Sequence, residues 1–466
     1  MSPNQYPQYW WHKLTHVCQR WRRIILDSPN RLSLTLVCTH RTPVEDLLAH
    51  SPAVPITIYY GNPEPYDPQN DLENIRLALL RRDRVCRINL HLPSSSLREV
   101  FEYMKGSFPV LETLQLYCSS LENKDARLPG TFEAPKLRHL QLSDFALVPQ
   151  KTPPLNTNIC PPSLVSFSLG EVAPVKYQSP ALFVNCLSVM PQLKCLKIGY
   201  LFPVEEKTTN QDKSSQQASH STLRLTNLEE LQYHGESDYF EALAARITAP
   251  SLKKLSLTFT DSLEDVTLPN LSVLIRGATD LSESCKFARV RFKDNTSIVM
   301  DQNELWTGRG AFELMFSLHP MQSSFETQLK IAIHVCGELP LASDVTSLLL
   351  EYARANKWST SSPPTSYYTV VKKPSSSETL DIYRKMWHRL LGHFKNVDTL
   401  RVAGHFVDEL DNALRPDDPV RTLLPKLQRI VLYGPVKDFG PFVEARERAG
   451  SVVKVESGPK NRLTLV

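Results

Sequence analysis

Nine stretches of this chain repeat one short pattern, and that repetition limits its fold more than any other feature. "FPVLETLQLYC" from Phe108, "APKLRHLQLSD" from Ala134, "PPSLVSFSLGE" from Pro161 and "MPQLKCLKIGY" from Met190 share the form P-x-L-x-x-L-x-L. "LTNLEELQYHG" from Leu225, "APSLKKLSLTF" from Ala249 and "LPNLSVLIRGA" from Leu268 follow, then "FKNVDTLRVAG" from Phe394 and "LPKLQRIVLYG" from Leu424. The proline is absent from some copies. Leu111, Leu137, Leu164, Leu193, Leu228, Leu252 and Leu271 head the first seven, at intervals of 26, 27, 29, 35, 24 and 19 residues. The longest interval contains "EEKTTNQDKSSQQASHST", a polar insertion that reads as a surface loop.

In L-x-x-L-x-L the last two leucines alternate, so both point to one face of a short strand. The first leucine packs under the turn leading into that strand. The proline is expected to end the incoming helix, because it disfavours helical geometry in the residue before it. Helical segments do precede several copies: "SSSLREVFEYMKGSF", "SPALFVNCLSVM" and "DYFEALAARIT" carry apolar residues at three- and four-residue spacing. A helix–turn–strand unit of this kind cannot bury its apolar face alone, and stacking such units builds one continuous core.

The pattern resembles the leucine-rich-repeat family in an irregular form. Where that family has an asparagine three residues after the last leucine, this chain has Ser119, Phe145, Val172, Leu201, Glu236, Thr260 and Thr279. The resemblance therefore implies an α/β solenoid that is less regular than usual. Between Leu271 and Val397 the pattern fades. "FARVRFKDNTSIVMD" reads as a hairpin and "LKIAIHVCG" as a further strand. "SDVTSLLLEYARANKW" reads as a helix with Ser343 or Asp344 as its N-cap. A Ser/Pro-rich loop over 358–378 then ends in a capping box, Ser375-x-x-Glu378, that opens the helix "TLDIYRKMWHRLLGHF". The reading is of degenerate repeats continuing one solenoid over 106–466, interrupted by polar loops at 204–222 and 358–378.

The front of the chain differs. Trp10, Trp11, Leu14, Val17, Cys18, Trp21, Ile24 and Ile25 share one stripe of a helix that Pro29 stops. "RLSLTLVCTH" leaves it in strand alternation. The order of Leu14, Val17, Cys18, Trp21, Arg22, Ser28 and Pro29 resembles the C-terminal part of the F-box domain, in the form common among fungal F-box-like proteins. "PVEDLLAHSPAVPITIYY" and "DLENIRLALLRRDRVCRINLHLP" each read as a helix then a strand, also in keeping with that family. The leading L-P-x-E-I-L-x-x-I-F segment of the family has no counterpart in "MSPNQYPQYWW". The reading is thus an F-box-like helical remnant over 1–40, transition α/β units over 41–105, and then the repeats. It expects a front that is truncated or has lost its first helix, with Trp21 in the core and Trp10 or Trp11 partly exposed.

The resemblance implies a substrate-recognition subunit of a cullin-type ubiquitin ligase, with no catalysis by this chain. Its Skp adaptor would dock on Trp10, Trp11, Leu14, Val17, Cys18, Trp21, Ile24 and Pro29, weakly for want of the first helix. The alternative is a stand-alone leucine-rich scaffold that does not bind the adaptor. In either case the protein substrate would be chosen by variable polar positions beside the inward leucines: Thr113, Gln115, His139, Gln141, Cys195, Lys197, Lys254 and Ser256.

Composition narrows the other classes. A net charge of +4 over 466 residues argues against nucleic-acid binding by bulk electrostatics. Arg20, Arg22, Arg23, the "RRDR" at 81–84 and the "KFARVRFK" at 286–293 read as solvated faces, because aromatics do not interleave with them. Nine cysteines without CxxC spacing and thirteen histidines without HExxH point to no metal, no cofactor and no disulfide framework. Cys18, Cys86, Cys186 and Cys195 read as small core residues. Asp438-Phe439-Gly440 stands without the glycine-rich loop, strand lysine and HRD loop of a kinase, and no G-x-S-x-G elbow is present. Without a signal peptide or a long apolar run, the expected setting is intracellular, cytoplasmic or nuclear, and the sequons at Asn270 and Asn295 read as chance matches.

Overall fold

Leu114 and Leu116 are fully buried, whereas Thr113, Gln115 and Tyr117 between and beside them stay half-exposed, as period-two alternation requires. The computed structural model describes residues 17–26, 33–51, 53–61, 68–118, 128–143, 160–172, 179–200, 222–260, 267–283, 285–292, 295–301, 312–317, 324–352, 377–403, 406–414, 423–433 and 439–458. They divide into two units, one ending at Leu228 and one starting at Glu229.

Numbering only strands longer than two residues, the first unit opens with α1 (Gln19–Leu26), β1 (Leu34–Val37), α2 (Val44–His50), β2 (Ile56–Gly61), α3 (Pro68–Leu79) and β3 (Val85–Leu92). It continues with α4 (Ser94–Tyr103), β4 (Thr113–Cys118), β5 (His139–Ser143), β6 (Ser166–Val172), α5 (Pro180–Ser188) and β7 (Cys195–Tyr200). The strands stand in chain order, each parallel to the next. Register aligns Ile88, Leu114, Leu140, Phe167 and Leu196 in one buried row, and Leu90, Leu116, Leu142, Leu169 and Ile198 in a second. Each such side chain contributes on the order of 1.5–3 kcal/mol by leaving water.

The turn into each strand recurs. The N–H of Leu111 donates to the Phe108 carbonyl, Leu137 to Ala134, Leu164 to Pro161 and Leu193 to Met190, at 3.0–3.2 Å. Pro109, Pro135, Pro162 and Pro191 occupy the second position of these four-residue turns, where a fixed φ near −65° suits the geometry. The expectation that the proline ends a helix is corrected: it shapes the turn into the strand. Backbone bonds then join neighbouring repeats, with Arg138 and His139 donating to the Glu112 carbonyl at 2.9 and 3.0 Å. Val165 and Ser166 donate likewise to Arg138 at 2.8 and 2.9 Å.

The first sheet starts earlier than the repeat motif suggested. Strands β1, β2 and β3 belong to it, so residues set apart as transition units over 41–105 contribute to the same array. Val85-x-x-Ile88-x-Leu90 has the L-x-x-L-x-L spacing with β-branched residues at two positions. A buried carboxylate fixes this end. Asp71 of α3, 1% exposed, accepts from the Tyr60 hydroxyl at 3.0 Å and from the His40 backbone N–H. The His40 ring nitrogen Nδ1 lies 3.4 Å from it.

The second unit holds β8 (Glu230–Gly235), α6 (Ser237–Ala244), β9 (Lys254–Phe259), α7 (Pro269–Arg276), α8 (Thr279–Glu283), β10 (Phe287–Phe292), β11 (Asn295–Asp301) and β12 (Phe312–Ser317). Then come α9 (Phe325–Glu338), β13 (Ser347–Tyr352), α10 (Ser377–Gly392), β14 (Thr399–Ala403), α11 (Val407–Leu414), β15 (Arg429–Tyr433), α12 (Gly440–Arg448) and β16 (Lys454–Ser457). Spatial order is β8-β9-β12-β11-β10-β13-β14-β15-β16. The expected hairpin is β10 and β11, paired antiparallel, and β12 pairs antiparallel to β11. All other neighbours in this sheet are parallel. An antiparallel meander thus breaks the run of repeats, which corrects the reading of unbroken degenerate copies.

Three further expectations in this unit are corrected. The copy at Leu268 is helix α7: Leu271, Leu274 and Ile275 follow helical spacing, Arg276 takes the place of the last leucine, and Pro269 fits the first helical turn. The Glu241 carboxylate receives the Asn270 and Leu271 N–H groups at 2.8 and 2.9 Å, closing that helix end. "LKIAIHVCG" lies in α9, whose Ser324 side chain accepts from the Thr327 N–H at 3.1 Å. Its alternating residues also satisfy four-residue spacing. "SDVTSLLLEYARANKW" contains strand β13 rather than a helix, because Leu348, Leu349 and Leu350 are all buried between two parallel neighbours. The helix expected after Glu378 is present as α10. Ser375 lies outside the described residues, with all of 204–222 but its last residue and all of 358–378 but its last two.

Candidate functional site

Strands of the first unit turn one set of side chains into the core and the other outward, and register sorts the outward set into rows. One row reads Arg87, Thr113, His139, Ser166 and Cys195, and the next Asn89, Gln115, Gln141, Ser168 and Lys197. The sequence-derived positions Thr113, Gln115, His139, Gln141, Cys195 and Lys197 therefore share one surface. Adjacent strands lie about 4.8 Å apart, close enough for side chains to join across them. The Asn89 amide donates to Gln115 Oε1 at 2.8 Å, and the Gln115 amide donates to Gln141 Oε1 at 3.2 Å. Beside this amide ladder the His91 and Tyr117 rings meet edge-on at 6.1 Å.

Burial pushes the His139 imidazole below its ordinary pKa, and the charges of Arg138 and Arg87 push it further down, with Glu112 opposing. A neutral imidazole here offers one donor and one acceptor at neutral pH. Burial and Tyr59 raise the Tyr117 phenol, so it stays a protonated donor. The surface thus presents amides, hydroxyls, an imidazole, the Arg87 guanidinium and the Lys197 ammonium on a parallel-strand frame. Its chemistry is hydrogen bonding.

Arg87, Asn89, His91 and Tyr117 were not singled out from the sequence. The signal for the first three was the V-x-x-I-x-L spacing around them. Lys254 and Ser256 lie on β9 of the second unit, where Lys254 stands 3.8 Å from Glu230 and the Ser256 hydroxyl donates to Glu313 at 3.4 Å. On the same sheet Arg291 pairs with the buried Glu351 at 2.7 Å and Arg429 with Glu456 at 3.1 Å. Both "RRDR" and "KFARVRFK" contribute to such internal contacts. Arg82 lies over the Phe108 ring at 5.7 Å, and Arg84 donates to the Val54 carbonyl at 3.0 Å.

At the front, Val17, Trp21 and Ile24 are 62%, 47% and 58% exposed. Trp21 is therefore not core, and the expectation is corrected. Offsets of four and seven residues place all three on one stripe, so a solvent-facing Trp21 takes Val17 and Ile24 with it. Cys18 is exposed too, unlike the buried Cys186, and Cys86 and Cys195 are half-buried. Trp10, Trp11, Leu14 and Pro29 lie outside the described residues.

One cluster resembles a site of chemistry and is better explained by structure. Cys38 lies near Asp71, but burial first and the Asp71 charge second push its thiol far above the ordinary range, so it carries no nucleophilic thiolate. Among the described residues no three His, Cys, Asp or Glu side chains gather as a metal site. No helix among them is long and apolar enough to cross a membrane.

No family model matches the chain, and no curated protein matches it. Solved structures that match include the leucine-rich repeat-containing protein LegL7 from Legionella pneumophila, at 13% identity and a TM-score of 0.28, covering 91% of this chain and 99% of that one. Another is a protein from Bacteroides fragilis, at 9% identity and a TM-score of 0.22, covering 81% and 66%. The leucine-rich character of this chain rests on its own registered leucines and the turn before each strand.

Proposed function

We propose that this chain is a non-catalytic protein-interaction module that captures a protein substrate on the strand face of its first unit. The observation that carries the reading is the pair of outward rows through Gln115 and His139, aligned by strand register on a rigid parallel sheet. Side chains held by a scaffold lose little conformational freedom on binding, which favours a recognition surface. In its finer form the reading makes the chain a substrate-recognition subunit of a cullin-type ubiquitin ligase. The F-box-like order from Val17 to Arg22 and the exposed stripe of Val17, Trp21 and Ile24 support that form. An exposed tryptophan flanked by aliphatic residues on a helix is a suitable anchor for a partner helix.

Calorimetric titration of a purified Skp adaptor into the full chain tests the finer form. Saturable binding that Trp21→Asp weakens at least tenfold supports it. Absence of binding, or binding indifferent to Trp21→Asp, removes the ligase role and leaves the stand-alone scaffold. The amide ladder favours that second reading equally, since it does not involve α1.

A further inference from the structure

Among the described side chains, the strand faces of the two units differ in outward charge. Every outward carboxylate named on the second unit has a partner: Glu230 with Lys254, Glu313 with Ser256, Glu351 with Arg291 and Glu456 with Arg429. On the first unit, no Asp or Glu occupies an outward strand position among the described side chains from β1 to β7. Arg87 is exposed at one end of the His139 row, and the exposed Arg138 leads into it. The carboxylate whose charge acts on His139 is Glu112, in the turn before β4. Two guanidinium groups against one carboxylate leave this corner of the face positive.

We propose that the strand face of the first unit takes an acidic, extended segment of its partner protein, with carboxylates seated by Arg87 and Arg138 and flanking backbone bonded to the Asn89–Gln115–Gln141 amides. The inference rests on the proposed role of this face in capturing a protein, and names what it prefers. Guanidinium groups bind carboxylates through paired N–H donors, and amides satisfy peptide N–H and C=O alike. An acidic peptide suits the surface better than a nucleic acid. Among the described residues only Arg87, Arg138 and Lys197 bring positive charge to the rows, the other row side chains are uncharged amides, hydroxyls, a thiol and an imidazole, and the chain carries a net charge of just +4. The depressed His139 agrees in part: burial is the first cause, and the second, the charge of Arg138 and Arg87, is what an incoming carboxylate would neutralise.

The test uses the full chain and fluorescein-labelled peptides of alternating Glu and Ser, with Gln/Ser and Lys/Ser counterparts and a single-stranded oligonucleotide, read by anisotropy at low and at physiological salt. The Glu peptide is expected to bind best and to weaken with salt. Arg87→Glu and Arg138→Glu should each reduce its affinity on the order of tenfold, the scale of one lost charge-assisted bond. Lys454→Glu on the second unit should leave it unchanged. Bound peptide should also raise the His139 titration midpoint, followed by NMR of histidine-labelled protein with circular dichroism confirming each variant's fold. Equal binding of the Gln peptide, abolished by Gln141→Arg, keeps the face as an interaction surface and overturns its acidic preference. Tighter binding of the oligonucleotide, no binding of any peptide, or Glu-peptide binding indifferent to Arg87→Glu and Arg138→Glu also overturns the proposal.

Discussion

Leu140→Ala is the substitution that most severely tests the repeat core. Leu140 is 1% exposed and stands in register between Leu114 and Phe167 on parallel neighbours. Deleting three carbons forfeits roughly 2.4 kcal/mol of transfer free energy, at about 0.8 kcal/mol per buried methylene. The cavity adds to that, because Leu114 and Phe167 are held by strand pairing on either side and cannot close in freely. The expected cost is about 3–5 kcal/mol. Urea unfolding followed by circular dichroism measures it, and hydrogen exchange of the β4, β5 and β6 amides shows that the loss falls in the first unit. His139→Ala, on the same strand but facing outward, should cost no more than about 0.5 kcal/mol. In a double-mutant cycle, Leu114→Ala and Leu140→Ala should be non-additive by at least about 0.5 kcal/mol, since the two sites share one cavity. The reasoning fails if Leu140→Ala costs no more than His139→Ala.

Two other substitutions probe polar groups that hold the units. Asp71→Ala leaves the buried Tyr60 hydroxyl and the His40 N–H without their acceptor, and should lower the first unit's stability by about 2–4 kcal/mol in the same urea assay. Burial raises the Glu241 carboxyl above its ordinary pKa despite the N–H groups of Leu271 and Asn270. The folded state therefore holds that proton more tightly than the unfolded chain. Its contribution is full below the unfolded pKa and is lost as pH rises through the folded value, and Glu241→Gln should flatten this part of the stability profile measured by melting at stepped pH. A wild-type slope of the opposite sign through that window would contradict the assignment.

Much of the fold could be read from the leucines, because their spacing encodes both a strand and the turn before it. The reading failed where two periods fit one segment. Leu271 and Leu274 satisfy the repeat, but Ile275 and Arg276 shift the pattern to a helix, and Pro269 starts it. Around Leu349 the opposite happened: a strand buried on both faces shows no alternation, and its leucine run passed for a helix. Of the candidate surface, positions beside the inward leucines were legible, since alternation alone points them outward. Arg87, Asn89 and His91 were missed because valine and isoleucine replace leucine around them. Trp21 was misplaced because an apolar stripe records which residues share a side of a helix, and says nothing of what covers that side.

The claim that the strand face of the first unit is where partners bind is tested most directly by placing a photo-cross-linking amino acid at Gln115, on the amide ladder, and in a second variant at Glu99, on the solvent-facing side of α4. Each full-length variant is returned to its own cells and irradiated, and covalent adducts are resolved by mass and identified by peptide sequencing. The account predicts adducts of defined mass from position 115, suppressed by a further Gln141→Arg, and none of the same mass from position 99. Equal adducts from both positions, or adducts from position 99 alone, would contradict it.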